Sequence, residues 1–386
     1  MYPDLSYIMN AIFGTAPDNA FAVVKTFGLF LVLAILASAF VLYLELKRKE
    51  KEGLLKATKE KFIEGEAASI YDIISNGIFG FILGFKGVYA AQHFADFKID
   101  PASIVFSSLG NWTFGILGFV VFAAIRWYDK HRNKLDKPIE KQVTIHPWER
   151  IGDITMIAAI SGVIGAKVFA VVEDLDALFK DPLGVLLSGG GVAIYGGLIF
   201  GFIFVYMYVK KKGLTPIHIM DAVAPALFVG YAVGRIGCQL AGDGDWGVVN
   251  NLPEPGWWIF PDWMWAFDYP RNVLNQGVPI EGCDFHYCRR LAEARFPTPF
   301  YETVVSFMLA GILWALRKRI KIAGILFFIY LIFNGMERFM IEKIRVNDKY
   351  ETLGFNMTQA EMIAVGLILT GIIGVGVLWK RGKKVG

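Results

Sequence analysis

The feature that most constrains this sequence is the length of its apolar blocks. Stretches of roughly 18 to 25 mostly apolar residues recur along the chain, which is the length that an α-helix needs to cross a bilayer. A segment buried in lipid must satisfy every backbone N–H and C=O internally, and a helix does so within itself. We therefore predict an all-α polytopic membrane protein.

Nine such blocks can be placed, and we interpret them as about nine transmembrane helices in a single membrane domain, residues 1–386. The second block contains Asn76 and Lys86, so it could also be re-entrant. The blocks centre on residues 20–46, 70–91, 102–126, 151–172, 185–209, 217–238, 301–316, 322–341 and 360–379.

Composition excludes several other classes of protein. Hydrophobic residues make up 55% of the chain and charged residues 19%, whereas disordered chains are polar and highly charged. The net charge of +4 and the 3 cysteines fit neither a soluble nucleic-acid binder nor a disulfide scaffold. Nucleic acid is therefore not an expected partner.

Lysine and arginine are concentrated in alternate connections between the blocks. Because cytoplasmic connections are enriched in these residues, we predict that the N-terminus is outside and the C-terminus cytoplasmic. Residues 342–358 are an exception, since Lys343, Arg345 and Lys349 are predicted outside. The first block lacks a basic leader, so we expect a retained span and not a signal peptide. The predicted inside connections are residues 47–61, 126–150, 210–212, 317–321 and 380–384.

One large connection, residues 239–300 between the sixth and seventh helices, is predicted to be an extracytoplasmic loop or a small head subdomain. Residues 256–265, GWWIFPDWMW, have the aromatic character of an interfacial anchor. Cys283 and Cys288 are compatible with a disulfide outside the cytoplasm. A metal site with His286 is the alternative, although no fourth ligand is evident.

Polar residues within the predicted helices converge on one depth, near the outer leaflet. Charges in membrane helices are costly and are functional candidates by default. A proton or ion path would instead distribute such groups through the whole thickness of the membrane. The converging residues are Lys167, the run 188–191, Tyr195, Gly196, Gly197, Arg235, Asp243, Asp245, Trp246, Tyr301, Glu302, Asn334, Glu337, Arg338, Glu342 and Arg345.

The chemistry of this set indicates an anionic head group, because arginine binds phosphate bidentately and glycine lets a ligand approach the backbone. Simpler interpretations compete. Lys167 could snorkel to the interface, Glu342 could exist only to pair with a neighbouring arginine, and the glycine runs could serve helix packing. The cations in question are Lys167, Arg235, Arg338 and Arg345.

Residues 234–247, GRIGCQLAGDGDWG, form the densest string of polar residues and glycines. The string resembles the signature of prolipoprotein diacylglyceryl transferases, G-R-x-G-N-F-x-N-G-E-x-x-G. Other segments resemble further family motifs in the family's order, and together they cover most of the chain outside about residues 50–145. They are residues 25–28 (W-Y-G), 165–167 (G-A/G-R), 195–199 (H-G-G-L-I), 297–302 (H-P-T/S-Q-L-Y-E), 338–345 (R-x-x-x-E-x-x-R) and 356–359 (S-M-G-Q).

The resemblance implies an enzyme of the bacterial cytoplasmic membrane whose active site faces the outer leaflet. Members of the family transfer the diacylglyceryl group of phosphatidylglycerol to the lipobox cysteine of a prolipoprotein signal peptide, forming a thioether and releasing glycerol phosphate. The implied partners are phosphatidylglycerol, prolipoprotein signal peptides and membrane lipids, with no metal or organic cofactor. Residues 70–126 would add two spans to the usual seven.

The chain departs from the family pattern at several positions. Tyr195 stands at the family's histidine, Phe27 at a tyrosine, and Cys238 and Ala241 at two asparagines of the signature. We interpret Cys238 as a small buried filler. The signature also has one extra residue before Gly247, and these departures leave the identity of the general base open.

The reaction needs a stabilised leaving phosphate, for which we choose Arg235 and Arg338, with Lys167 in support. The predicted substrate-binding residues are Lys167, Gly196, Gly197, Gly237, Gly242, Gly247, Tyr301, Glu342 and Arg345.

The reaction also needs a thiolate, because the thiolate is the nucleophile. A free thiol has a pKa of about 8.5, so a modest base suffices. Asp243 and Glu302 are the natural candidates, and Tyr195 is expected to orient the head group or relay a proton.

Two other classes remain open. A secondary transporter would suit glycine-interrupted helices, but repeat halves are not visible and the polar groups lie at one face. A catalytically inactive lipid or signal-peptide binding homologue is motivated by Tyr195. Turnover separates the enzyme from the binder, and flux into sealed vesicles would identify the transporter.

Overall fold

The computed structural model describes residues 1–181, 185, 193–347, 349–352 and 355–385, and these are mostly helical. The glycine run 188–191 lies outside the described residues. The helices are α1 (Leu5–Phe13), α2 (Thr26–Lys51), α3 (Ile70–Gln92), α4 (Phe94–Ile99), α5 (Pro101–Val105), α6 (Trp112–Arg132), α7 (Ile151–Glu173), α8 (Leu175–Lys180), α9 (Ile194–Lys211), α10 (Pro216–Ala241), α11 (Thr298–Leu316), α12 (Ile325–Glu342) and α13 (Gln359–Val385). The strands are β1 (Thr58–Glu64), β2 (Ile139–Ile145), β3 (Val278–Pro279), β4 (Arg289–Arg290), β5 (Lys349–Thr352) and β6 (Phe355–Thr358).

Each predicted block corresponds to a long helix in the described part of the chain. Six helices are long and apolar enough to cross a membrane, so the prediction of a polytopic helical membrane protein is confirmed. The count of nine spans stays a prediction, since α6, α9 and α12 are not among the six. The six are Thr26–Lys51, Ile70–Gln92, Pro147–Val172, Pro216–Ala241, Thr298–Leu316 and Gln359–Gly382.

Two of the predicted blocks differ in detail from the helices that form. The second is one continuous helix, in which Lys86 Nζ donates to the carbonyl oxygens of Ile104 and Leu109 at 2.9 and 2.8 Å. The third begins later than predicted. The side chain of Asn111 accepts a hydrogen bond from Phe114 N–H and caps the start of α6.

The chain divides into two compact units, and the first comprises Met1–Leu55 and Leu214–Gly386. Within it, α10 packs against α2, α11 and α12, and α12 also packs against α13. Ala224 and Phe228 of α10 are fully buried, in a core shared with Leu313 of α11. The buried alanines Ala222, Ala224, Ala226 and Ala232 let neighbouring helices approach α10 closely, and α10 is the central helix of this unit.

The second unit, Lys56–Gly213, contains two pairs of closely packed helices, α3 with α6 and α7 with α9. Glycines permit the contacts, since a Cβ on Gly118 would lie 2.2 Å from Gly80 O. Strands β1 and β2 pair antiparallel from Thr58↔Ile145 to Glu64↔Ile139. Strands were not predicted from the sequence in this part of the chain, where we expected connections between helices. That residues 1–386 form one membrane domain, with 70–126 as an addition, stays a prediction.

The large connection of the first unit has a core of its own, built on Trp246, Tyr269 and Leu291. Cys283 and Cys288 form a disulfide, so the disulfide interpretation is confirmed. The alternative metal site with His286 is excluded, because neither sulfur is a free thiolate.

Candidate functional site

Glu302 lies at the centre of a buried ionic cluster in the first unit. Its side chain is 0% exposed, and its carboxylate accepts a hydrogen bond from Tyr231 Oη at 2.8 Å. Three predicted cations converge on this one carboxylate. The nitrogen to oxygen distances are 3.1 Å for Arg235 Nε, 3.6 Å for Arg338 Nη1 and 3.7 Å for Arg345 Nη1.

Helix geometry explains how two of these arginines are oriented. Tyr231 precedes Arg235 by one turn of α10, and the guanidinium lies 5.1 Å from the centre of the tyrosine ring. Arg338 and Glu342 are one turn apart on α12 and form an ion pair at 2.9 Å. Tyr231 was not among the predicted site residues. Its spacing of four residues from Arg235 places both side chains on one face of the helix, and this could have indicated the contact.

Asp245 bridges two arginines; it was predicted at the same depth as they are but was not among the predicted catalytic or substrate-binding residues. Its Oδ2 pairs with Arg235, and its Oδ1 accepts from Arg345 Nη2 at 2.7 Å. Burial would raise the pKa of this carboxyl, but the two guanidinium charges outweigh burial and hold the pKa below its usual value. Thr298 Oγ1 donates to the Asp245 carbonyl at 2.6 Å, which fixes the backbone.

The predicted glycines of this region have identifiable backbone roles. Gly242 ends α10 with a φ of 64°, and Gly244 has a φ of 100°, conformations that favour glycine. A Cβ on Gly247 would lie 2.5 Å from Ile344 O, and one on Gly237 would lie 2.6 Å from Phe30 Cβ. Turn formation and close packing account for these glycines, while substrate binding by them stays a prediction.

Asp243 lies beside the cluster, where its Oδ1 accepts from Asp245 N–H at 3.3 Å. Burial raises the pKa of the Asp243 carboxyl. The buried thiol of Cys238 lies with the carboxylates of Asp243 and Asp245, all three within 4.8 Å of one another. Cys238 is buried, as predicted, but it lies beside two carboxylates and not only among apolar side chains.

These three side chains are also a candidate metal-ligand group. Both carboxylate oxygens of Asp245 are paired with arginines, however. A cation here would have to compete with two fixed positive charges, so the donor set is poorly suited to a metal.

Tyr301 points toward the large connection. Its hydroxyl donates to Met264 O at 2.7 Å, and the neighbouring Phe300 packs on Trp263 with ring centres 5.0 Å apart. Tyr301 therefore fixes the aromatic segment 256–265 to the start of α11.

The remaining predicted residues belong to the second unit. Lys167 lies on α7, and Tyr195, Gly196 and Gly197 lie on α9. A Cβ on Gly196 would be 2.4 Å from Gly165 O, so this glycine permits close packing of α9 on α7. The structure therefore supports the packing interpretation of Gly196, and roles toward substrate stay predictions for all four.

Comparison with known proteins agrees with the motifs. A family model described as prolipoprotein diacylglyceryl transferase matches residues 112–377. Proteins named phosphatidylglycerol–prolipoprotein diacylglyceryl transferase are similar to the chain. That of Leptospira interrogans is 25% identical over 281 residues, covering 60% of this chain and 80% of that protein. That of Bacillus cereus is 29% identical over 238 residues, covering 61% and 79%. That of Halalkalibacterium halodurans is 27% identical over 293 residues, covering 74% and 89%. Because the matched region is well over half of the 386 residues, the chain belongs to the prolipoprotein diacylglyceryl transferase family.

Proposed function

We propose that this chain transfers the diacylglyceryl group of phosphatidylglycerol to the lipobox cysteine of a prolipoprotein signal peptide. The observation that carries the proposal is the convergence of Arg235, Arg338 and Arg345 on one buried carboxylate at the ends of α10, α11 and α12. Preorganised cations of this kind stabilise negative charge that develops on a leaving group.

In the proposed step, the thiolate of the peptide cysteine attacks the glycerol carbon that carries the phosphoester. A carbon–sulfur bond forms and the carbon–oxygen bond to phosphate breaks. Glycerol phosphate leaves with the electron pair, and the thiol proton passes to a base. Arg235 and Arg338 stabilise the leaving phosphate, and Arg345, which meets Arg235 at Asp245, is a further phosphate contact.

We assign Asp243 as the base. A base must be free to accept a proton, and burial raises the pKa of the Asp243 carboxyl, which makes it a stronger base. Glu302 is surrounded by three guanidinium groups, so we assign it the role of holding the arginines. Lys167 and Tyr195 enter the proposal through their match to family motifs, as a phosphate contact and as a head-group or proton-relay residue.

Contacts among the connections support the proposed topology, with the N-terminal segment outside. Among the predicted inside connections, Arg150 and Lys212 both pair with Glu60, at 2.9 and 2.8 Å. Within the first unit, Arg317 pairs with Glu45 near the end of α2, at 2.7 Å. Connections that contact one another lie on the same side of a membrane, so these contacts agree with the lysine and arginine distribution.

The predicted outside segments also contact one another. His286 N–H donates to Asp18 Oδ2 at 2.8 Å, which joins the segment before α2 to the large connection. Val248 N–H donates to Ile344 O at 2.8 Å, which joins that connection to residues 342–358. The cations of residues 342–358 therefore lie beside another segment that is predicted outside, although the charge rule alone would place them inside. Arg345, from the same residues, takes part in the ionic cluster. We accordingly propose a nine-span protein of the bacterial cytoplasmic membrane with its site at the outer leaflet.

The test is a transfer assay with purified protein, phosphatidylglycerol and a synthetic lipobox peptide. Mass spectrometry should detect a diacylglyceryl adduct on the cysteine peptide and none on a Cys→Ser peptide. Arg235→Ala should abolish the adduct in a protein that remains folded. If lipid and peptide both bind and no adduct forms, the proposal is wrong and the chain is a binding homologue.

A further inference from the structure

Asp245 is the accessible carboxylate of the ionic cluster. Its side chain is 33% exposed, whereas Glu302 and Glu342 are buried beneath it. The two arginines that it bridges, Arg235 and Arg345, are only 13% and 12% exposed. Asp245 is therefore the most exposed carboxylate of the cluster and contacts both of these guanidinium groups.

The charges of the cluster are already balanced. Among the described residues, its ion pairs join three arginines to three carboxylates. A phosphate anion that joined this set would add an uncompensated negative charge, which is costly away from water. Withdrawal of one carboxylate would restore the balance among these six residues when a phosphate binds. The arginines are Arg235, Arg338 and Arg345, and the carboxylates are Asp245, Glu302 and Glu342.

We propose that the Asp245 carboxylate occupies the phosphate position between Arg235 and Arg345 in the ligand-free protein, and that a bound phosphate displaces it. The ligand chemistry is a phosphate anion, either the diester of phosphatidylglycerol or the monoester of released glycerol phosphate. The identity of these two ligands rests on the proposed function, while the displaced carboxylate rests on the contacts alone.

The contacts of Asp245 match those that a phosphate would make. Each of its two oxygens binds a different guanidinium, and two phosphate oxygens offer the same bridging arrangement. Its backbone is held by Thr298 Oγ1, and Gly247 N–H donates to Phe296 O at 2.9 Å. Displacement therefore requires only rotation of the side chain, a fast and small motion.

The first experiment measures binding of free glycerol phosphate, and of phosphatidylglycerol in nanodiscs, to full-length protein. Asp245→Asn removes the competing charge at nearly unchanged volume. Because the phosphate would no longer compete with a charged carboxylate for the two guanidinium groups, we expect both ligands to bind at least about tenfold more tightly. Asp268→Asn is the matched control, because Asp268 pairs with Arg290 at 3.6 Å on an exposed surface. Unchanged or weaker binding by Asp245→Asn would mean that Asp245 only positions the arginines.

A second experiment uses the wild-type protein and does not depend on a variant that folds. Carboxyl labelling followed by mass spectrometry reports the accessibility of each carboxylate. Labelling of Asp245 should rise when glycerol phosphate is added, while that of Asp268 stays constant. Constant or reduced labelling at saturating ligand would overturn the inference.

The two proposals can fail separately. A wild-type protein that forms no peptide adduct, yet releases Asp245 to phosphate, would refute the transferase and leave the anion site intact. A wild-type protein that forms the adduct, while Asp245→Asn gains no affinity, would refute only the displacement.

Discussion

Glu302→Gln tests whether one buried carboxylate holds three arginines in place. The substitution preserves volume and leaves an oxygen for the Tyr231 hydroxyl, but it removes the charge shared by the guanidinium groups. Breaking a buried ion pair by removing one partner costs about 3–5 kcal/mol. Because the introduced amide would still accept one hydrogen bond, we expect the free energy of unfolding to fall by about 3 kcal/mol, near the lower end of that range.

The same substitution should reduce transfer, because the arginines would separate by mutual repulsion. Misplacement of binding groups by about 1 Å can lower a rate by about 100-fold, which is the loss in kcat/KM that we expect. Thermal unfolding in nanodiscs and the peptide transfer assay measure the two effects. Glu337→Gln is the matched control. Glu337 is 6% exposed on α12 and feels the charges of Glu302 and the three arginines, but within the described residues no ion pair involves it. Glu337→Gln should therefore change the unfolding temperature and kcat/KM less than Glu302→Gln does.

Two results would refute the reasoning about Glu302. If Glu302→Gln unfolds at the wild-type temperature and keeps wild-type kcat/KM, the carboxylate does not organise the arginines. If the variant is stable but its rate no longer falls at low pH, Glu302 is the base and Asp243 is not.

Three further predictions concern other parts of the chain. Burial raises the pKa of Asp243, so wild-type transfer should fall as pH drops through that raised value. Asp243→Asn should remove this limb of the pH–rate profile and most of the activity. Gly196→Leu places a side chain where Gly165 O lies 2.4 Å from the Cβ position. Overpacking should therefore lower the free energy of unfolding by about 1–3 kcal/mol, which thermal unfolding measures. Replacing Cys283 and Cys288 by Ser opens a loop with a sequence separation of 5 and should lower stability by about 2 kcal/mol. A reductant should lower the unfolding temperature of the wild type and leave that of the double variant unchanged.

The helices were predictable because spanning a membrane is a local property. A block of sufficient apolar length becomes a helix whatever its partners are, since the backbone bonds close within the segment. The predicted helix boundary was less accurate where a side chain bonds to the backbone. At the start of α6, Asn111 accepts a hydrogen bond from Phe114 N–H, and the helix begins at Trp112 and not at residue 102.

The pairings within the site could not be read from the sequence. Arg345 and Asp245 are 100 residues apart, and Tyr231 and Glu302 are 71 apart. Depth alone placed Arg235, Glu302 and Arg345 at one level, but it did not indicate which acid serves which cation. Strands β1 and β2 were missed for a related reason. Their residues, such as Lys61 and Glu140, are charged and exposed, so they resemble a solvated connection.

Two glycines after α10 help to place Asp245 beside the arginines. Gly242 and Gly244 both have positive φ, so the chain turns twice within three residues after α10. Beyond this turn Gly247 packs against Ile344 O, where a Cβ would lie 2.5 Å from that oxygen. The fixed points on either side leave Asp245 facing the arginines. The turn after α10 thus decides which carboxylate meets the arginines: Asp245 pairs with Arg235 and Arg345, whereas among the described residues no ion pair involves Asp243.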